Sequence, residues 1–66
     1  MQTLWVNGES VVSDATTLLQ LLQQRQVAAP GVAVAVNGEV VRRVDWPTRP
    51  LQSGDRLEIV SAAQGG

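Results

Sequence analysis

Residues 32 to 41 read Val32-Ala33-Val34-Ala35-Val36-Asn37-Gly38-Glu39-Val40-Val41. Large and small apolar side chains alternate over the first five positions, and every second residue is β-branched. That period of two predicts a strand over 32–36. Apolar residues on both faces predict a central place in a sheet. Asn37-Gly38 then supplies the pair best able to take positive φ at both centres of a type I′ turn, so the chain returns antiparallel through Glu39, Val40 and Val41.

The same signal occurs nearer the start. Gln2 to Val6 alternates, with Leu4 and Val6 on one face and Thr3 and Trp5 on the other. Asn7-Gly8 turns it into a return strand from Glu9 to Val12. Between the hairpins the period changes. Ala15, Leu18, Leu19 and Leu22 fall at i, i+3, i+4 and i+7, one face of a helix. Thr17 with Gln20 three residues on fits a capping box, and Pro30-Gly31 ends anything helical. Past the second hairpin, Arg42 to Pro50 reads as an irregular loop with two prolines. Ser53-Gly54-Asp55 reads as a tight turn. Arg56 to Ser61 is a last strand, with Leu57 and Ile59 on one face and Glu58 and Val60 on the other.

The predicted order is β-β-α-β-β-β. One amphipathic helix covers one face of a sheet only, so the class is α+β: a mixed sheet of four to five strands with one main helix packed on one face. This is the β-grasp (ubiquitin-like) arrangement, with the first and last strands side by side in the middle. The expected core is Leu4, Val6, Val11, Leu18, Leu19, Leu22, Val32, Val34, Val36, Leu57 and Ile59. Residues 1–61 form the expected domain, and 62–66 a flexible C-terminal tail ending in Gly-Gly.

Composition narrows the function. The chain has 66 residues, room for one domain, and a domain of this size buries only roughly 60% of the surface its unfolded chain exposes. It has no cysteine and no histidine, so thiolate chemistry and the commonest general base and metal ligand are absent. A net charge of −1 lacks the basic footprint that nucleic acid requires. The longest uncharged apolar run, Val27 to Val36, is broken by Pro30-Gly31 and is far short of the ~20 residues that span a bilayer. Met1-Gln2-Thr3-Leu4-Trp5 lacks the basic region and apolar stretch of a signal peptide, so a cytoplasmic location is expected. All five basic residues are arginines. A chain without lysine offers no side-chain amine for isopeptide bonds to itself.

The side chains show no catalytic constellation. Glu9 and Glu39 follow Asn-Gly turns, Asp55 sits in a turn, and nothing pairs two carboxylates in one pocket. Arg42-Arg43 reads as a solvated pair, with Arg43 also placed to contact an acidic partner. The chemistry concentrates instead at Gly65-Gly66, a dipeptide that chance puts at a given position in roughly 0.5% of chains. An α-carboxylate is ionised at neutral pH and a poor electrophile until it is adenylated. Glycine lacks Cβ and passes a narrow channel, and five residues beyond the last strand reach up to ~17 Å at ~3.4 Å each. The alternative is an inert chain end. On the sheet face away from the helix, Trp5, Ala33, Ala35 and Val60 form a candidate docking face.

These residues resemble the ThiS family of ubiquitin-like sulfur carriers. The resemblance runs through Val6-Asn7-Gly8-Glu9, Thr17-Leu18-Leu19-Gln20-Leu21-Leu22 and the stretch from Val32 to Val41. It continues with Arg43, Trp46, Leu51, Gly54-Asp55-Arg56 and Glu58-Ile59-Val60, and closes with Ala63-Gln64-Gly65-Gly66. Arg42 stands where members of the family often have proline. The resemblance implies a non-enzymatic carrier for thiazole formation in thiamine biosynthesis, with Gly66 modified and Gly65 its spacer. A ThiF-type enzyme uses MgATP to adenylate the Gly66 carboxylate. A persulfide donor, such as one fed by a cysteine desulfurase, exchanges AMP for sulfur. The thiocarboxylate then serves a ThiG-type thiazole synthase. No cofactor or metal is expected on this chain itself; ATP and Mg belong to the partner. Two related readings stay open: a MoaD-type carrier for molybdopterin, and a ubiquitin-like modifier conjugated through Gly66.

Overall fold

The computed structural model describes residues 1–61. Its elements are β1 (Gln2–Val6), β2 (Glu9–Ser13), α1 (Leu18–Gln24), β3 (Val32–Val36), β4 (Glu39–Val41), a 3₁₀ turn (Arg43–Asp45) and β5 (Arg56–Ser61). Both Asn-Gly pairs adopt the expected turn: φ is 51° and 86° at Asn7-Gly8, and 53° and 84° at Asn37-Gly38. Each tight turn sets its hairpin register, Val6 opposite Glu9 and Val36 opposite Glu39.

The five strands form one sheet in the order β2-β1-β5-β3-β4. β5 lies parallel to β1 and antiparallel to β3. The first and last strands are therefore neighbours, as the β-grasp reading requires. β3 has neighbours on both sides, but the middle strand is β5. The open face of β3 carries only alanines, Ala33 exposed and Ala35 half-buried, so the strand is covered on one face and not two.

Leu4 and Val6 from β1, Leu57 from β5, and Val34 and Val36 from β3 point to the helix side and are buried. The helix stripe differs from the expected one. Thr17 is the N-cap, with φ −126° and ψ 161°, and α1 begins only at Leu18. Ala15 is buried from the extended segment before the helix, and the buried helical residues are Leu18, Leu21 and Leu22. Leu19 is partly buried at the margin. The cause is the loop that follows β4. Arg49 O accepts from Leu18 N at 2.9 Å, Trp46 O accepts from Leu19 N at 3.0 Å, and Thr16 O accepts from Leu51 N at 3.0 Å. These bonds hold residues 15–17 extended and occupy the donors that a helix start leaves unpaired. Thr17 Oγ1 accepts from Gln20 N at 3.3 Å, the expected half of a capping box. The reciprocal half falls one residue earlier, Gln20 Oε1 accepting from Thr16 N at 2.8 Å.

The loop itself is ordered. Trp46, absent from the expected core, is 1% exposed and donates through Nε1 to Val41 O at 3.1 Å. Leu51 is buried beside it. Val11, Val32 and Ile59 are partly buried rather than central, since β2 is an edge strand and the other two lie toward one end of the sheet. Arg43 is not a freely solvated charge: it stacks on Trp46 and donates to Ala29 O.

Candidate functional site

The expected modification site, Gly66, and its spacer Gly65 lie outside the described residues, as does the rest of 62–66. The structure shows what precedes them: β5, its anchors and the open face of the sheet.

β5 is paired with β3 over its whole useful length, from Val36 opposite Leu57 to Val32 opposite Ser61. Its pairing with β1 is short, only Trp5 opposite Arg56 and Val6 opposite Leu57, because β1 turns away at Asn7. Two asparagine side chains complete what the backbone leaves undone. At the start of β5, Asn37 accepts from Arg56 N through Oδ1 at 3.0 Å and donates through Nδ2 to Asp55 Oδ1 at 3.0 Å. Asp55 Oδ2 in turn accepts from Gln52 N at 2.9 Å, closing the turn before the strand. Farther along, Asn7 Oδ1 accepts from Ile59 N at 2.8 Å, and Asn7 Nδ2 donates to Ile59 O at 3.2 Å. Sequence reasoning credited both asparagines with positive φ alone. Nothing in a local pattern shows that their amides reach strand residues 19 and 52 positions away.

All four residues of the expected docking face lie on the helix-free side of the sheet. Trp5 is 42% exposed and Val60 59%. Ala33 faces Val60 across the β3–β5 pair, and Ala35 sits opposite Glu58. Ala33, Ala35 and Val60 line one shallow depression together with Val40, which is 75% exposed. Trp5 lies apart from it, in a separate depression with Arg56 and Glu58. The sequence reading missed Val40. The signal was available, since a two-residue turn after Val36 pairs Val40 with Ala35 on the same face.

The carboxylates form no acid–base pair with a task. Asp55 serves its turn, and Asp14 accepts from Gln24 Nε2 at 2.9 Å. Among the described residues no cluster of three potential metal ligands occurs, and no helix is long and apolar enough to cross a membrane.

This geometry has close counterparts. The family model described as "ThiS family" matches residues 4–66. "Sulfur carrier protein ThiS" of Thermus thermophilus is 40% identical over 63 residues, covering 96% of this chain and 98% of that protein. The Escherichia coli K12 protein of the same name is 29% identical over 66 residues, the full length of both. The crystal structure of a thiamine biosynthesis protein (ThiS) from Geobacter metallireducens superposes with a TM-score of 0.84 at 32% identity, covering 98% of this chain and all of that one. An NMR structure of a thiamine biosynthesis protein from the same organism gives 0.78 at 30% identity, covering 98% of this chain and 88% of that one.

Proposed function

The chain belongs to the ThiS family, and from that membership we propose that it is a sulfur carrier of thiamine biosynthesis that works through the Gly66 carboxylate. The observation that carries this reading is the family match over residues 4–66, which runs through the Gly-Gly dipeptide. Of the related readings that the fold and the dipeptide allow, the match supports this one over a molybdopterin carrier or a protein modifier.

The sequence of steps is simple. A ThiF-type partner binds MgATP and joins AMP to the Gly66 carboxylate, with pyrophosphate leaving. The acyl carbon is now electrophilic, and the outer sulfur of a persulfide, such as a cysteine desulfurase supplies, attacks it and displaces AMP. A second thiol of the donor then cleaves the acyl disulfide, leaving the sulfur on Gly66 and a disulfide on the donor. The resulting thiocarboxylate is a softer and stronger nucleophile than the carboxylate it replaces. It donates its sulfur to the thiazole being built by a ThiG-type synthase, and the carrier returns as a carboxylate. This chain acts as co-substrate and supplies no catalytic side chain. Residues 1–61 form the body that the partners recognise, and 62–66 form the arm that enters their active sites. The nucleotide and its magnesium are held by the adenylating partner. A cytoplasmic location goes with this reading.

Docking falls to the open face. Ala33, Ala35, Val40 and Val60 offer an apolar surface across β3, β4 and β5, and Trp5 adds an aromatic edge beyond the charged side chains Arg56 and Glu58.

The test is intact mass after incubation with the adenylating enzyme, MgATP and a sulfur source. Replacement of one oxygen by sulfur, abolished when Gly66 is deleted, is the expected result. An unchanged mass with a competent enzyme present overturns the proposal.

A further inference from the structure

We propose that Asn7 is a positioning residue for the terminal carboxylate: its side chain extends the β1–β5 ladder past the end of β1 and so holds the C-terminal part of β5, to which residues 62–66 are joined. The functional half of this inference rests on the carrier reading above; the anchoring half does not.

The last backbone bond of the β1–β5 ladder runs from Asn7 N to Leu57 O at 2.8 Å. The next pair of β5 groups facing β1 is the N–H and C=O of Ile59. With β1 already turned into its hairpin, no strand residue faces them. The carboxamide of Asn7 takes that place, accepting at 2.8 Å and donating at 3.2 Å. A primary amide carries a donor and an acceptor in one plane, as a peptide unit does, so one side chain replaces a residue of the missing strand. Aspartate would keep the acceptor and lose the donor. Glycine would keep the positive φ of 51° and lose both.

Asn37 is a built-in comparison. It occupies the same position of the same turn type, at φ 53°, and its Oδ1 accepts from the backbone of β5 at Arg56, while its Nδ2 goes to the Asp55 carboxylate instead of a strand carbonyl. The two asparagines thus hold opposite ends of one strand from opposite sides. Only Asn7 acts near the exit: without it, residues 59–61 of β5 are held by β3 alone. For a carrier the difference matters. The acyl carbon must reach a reacting geometry inside another protein, and small misplacements are costly there. A firmly held strand end fixes where the chain that carries the carboxylate begins.

Three chains test this: wild type, Asn7→Gly and Asn37→Gly, all at a temperature where each is folded. On the free chains, amide exchange at Ile59 accelerates in Asn7→Gly by roughly tenfold while Leu4 and Leu18 keep their protection. With the adenylating enzyme, MgATP and a sulfur source, kcat/KM for loading falls roughly tenfold in Asn7→Gly and stays near wild type in Asn37→Gly. Unchanged exchange at Ile59 overturns the anchor. Altered exchange with equal loading of the two glycine variants overturns the positioning role, since a merely structural effect touches both. Failure of the wild type to gain sulfur overturns the carrier reading and the positioning role with it, while the exchange data still decide the anchor.

Discussion

The guanidinium carbon of Arg43 lies 4.9 Å from the centre of the Trp46 ring. Through Nη1 the same side chain donates to Ala29 O at 2.9 Å. Trp46 is itself buried and tied to Val41 O. Arg43 therefore joins three segments: the end of β4, the loop that closes the core, and the turn between α1 and β3. A charge that reads as solvated in the sequence acts as a clasp in the fold.

Arg43→Ala should lose the stacking, worth about 0.5–1 kcal/mol at an exposed site, and a charge-assisted hydrogen bond of similar size, for a total of about 1–2 kcal/mol. Urea denaturation measures it. Arg43→Lys should recover only part, because an ammonium cannot stack and donate in a fork as a guanidinium does. Stability unchanged in Arg43→Ala would show that the clasp contributes nothing.

Leu57 and Ile59 sit two residues apart on the same face of β5 but differ in burial. Leu57 is 1% exposed in the centre of the core, and Ile59 is partly buried at its margin. Leu57→Ala should cost about 2–5 kcal/mol, a large share of the stability of so small a domain, and Ile59→Ala clearly less. Equal losses in thermal melts would contradict the placement of the core.

α1 ends in a Schellman motif built without glycine. Val27 N donates to Leu22 O at 2.9 Å and Gln26 N to Gln23 O at 3.1 Å, with Gln26 at φ 60°. A left-handed residue with a Cβ is strained, so Gln26→Gly should raise stability by about 0.5–1 kcal/mol despite the greater freedom of glycine in the unfolded chain. A lower melting temperature for Gln26→Gly would refute this.

Val40 and Val60 are 75% and 59% exposed on the open face. Val40→Asp and Val60→Asp should change stability by no more than about 0.5 kcal/mol, since neither side chain fills the core. Both should raise KM for loading by the adenylating enzyme, because a carboxylate on an apolar docking surface must be desolvated there. Loading kinetics equal to wild type in both variants would remove this face from partner recognition.

Much of the fold is legible in the sequence because its signals are local. Alternation at Val32 to Val36 and at Gln2 to Val6 needs only neighbouring residues to specify a strand, and Asn-Gly pairs set both hairpin registers through two dihedral angles each. Four of the face residues follow from the same alternation, and Val40 was within its reach through the register of the second hairpin. The stretch from Arg42 to Pro50 was not legible. Its ordering depends on one indole finding a cavity and on backbone carbonyls finding the free donors of a helix about 30 residues earlier.

By itself, the amino-acid sequence determined the elements, their order, the two turns, and the Gly65-Gly66 dipeptide on which the carrier reading turns. Each of these is a property of a residue and its near neighbours. Only the tertiary structure decided that Leu21 and not Ala15 lies on the buried helical stripe, that Trp46 and Leu51 belong to the core, and that Arg43 is a clasp. It alone showed that Asn7 and Asn37 hold the two ends of β5. Those outcomes arise where hydrogen-bonding groups left over by one element meet those of another, and no local periodicity encodes such a meeting.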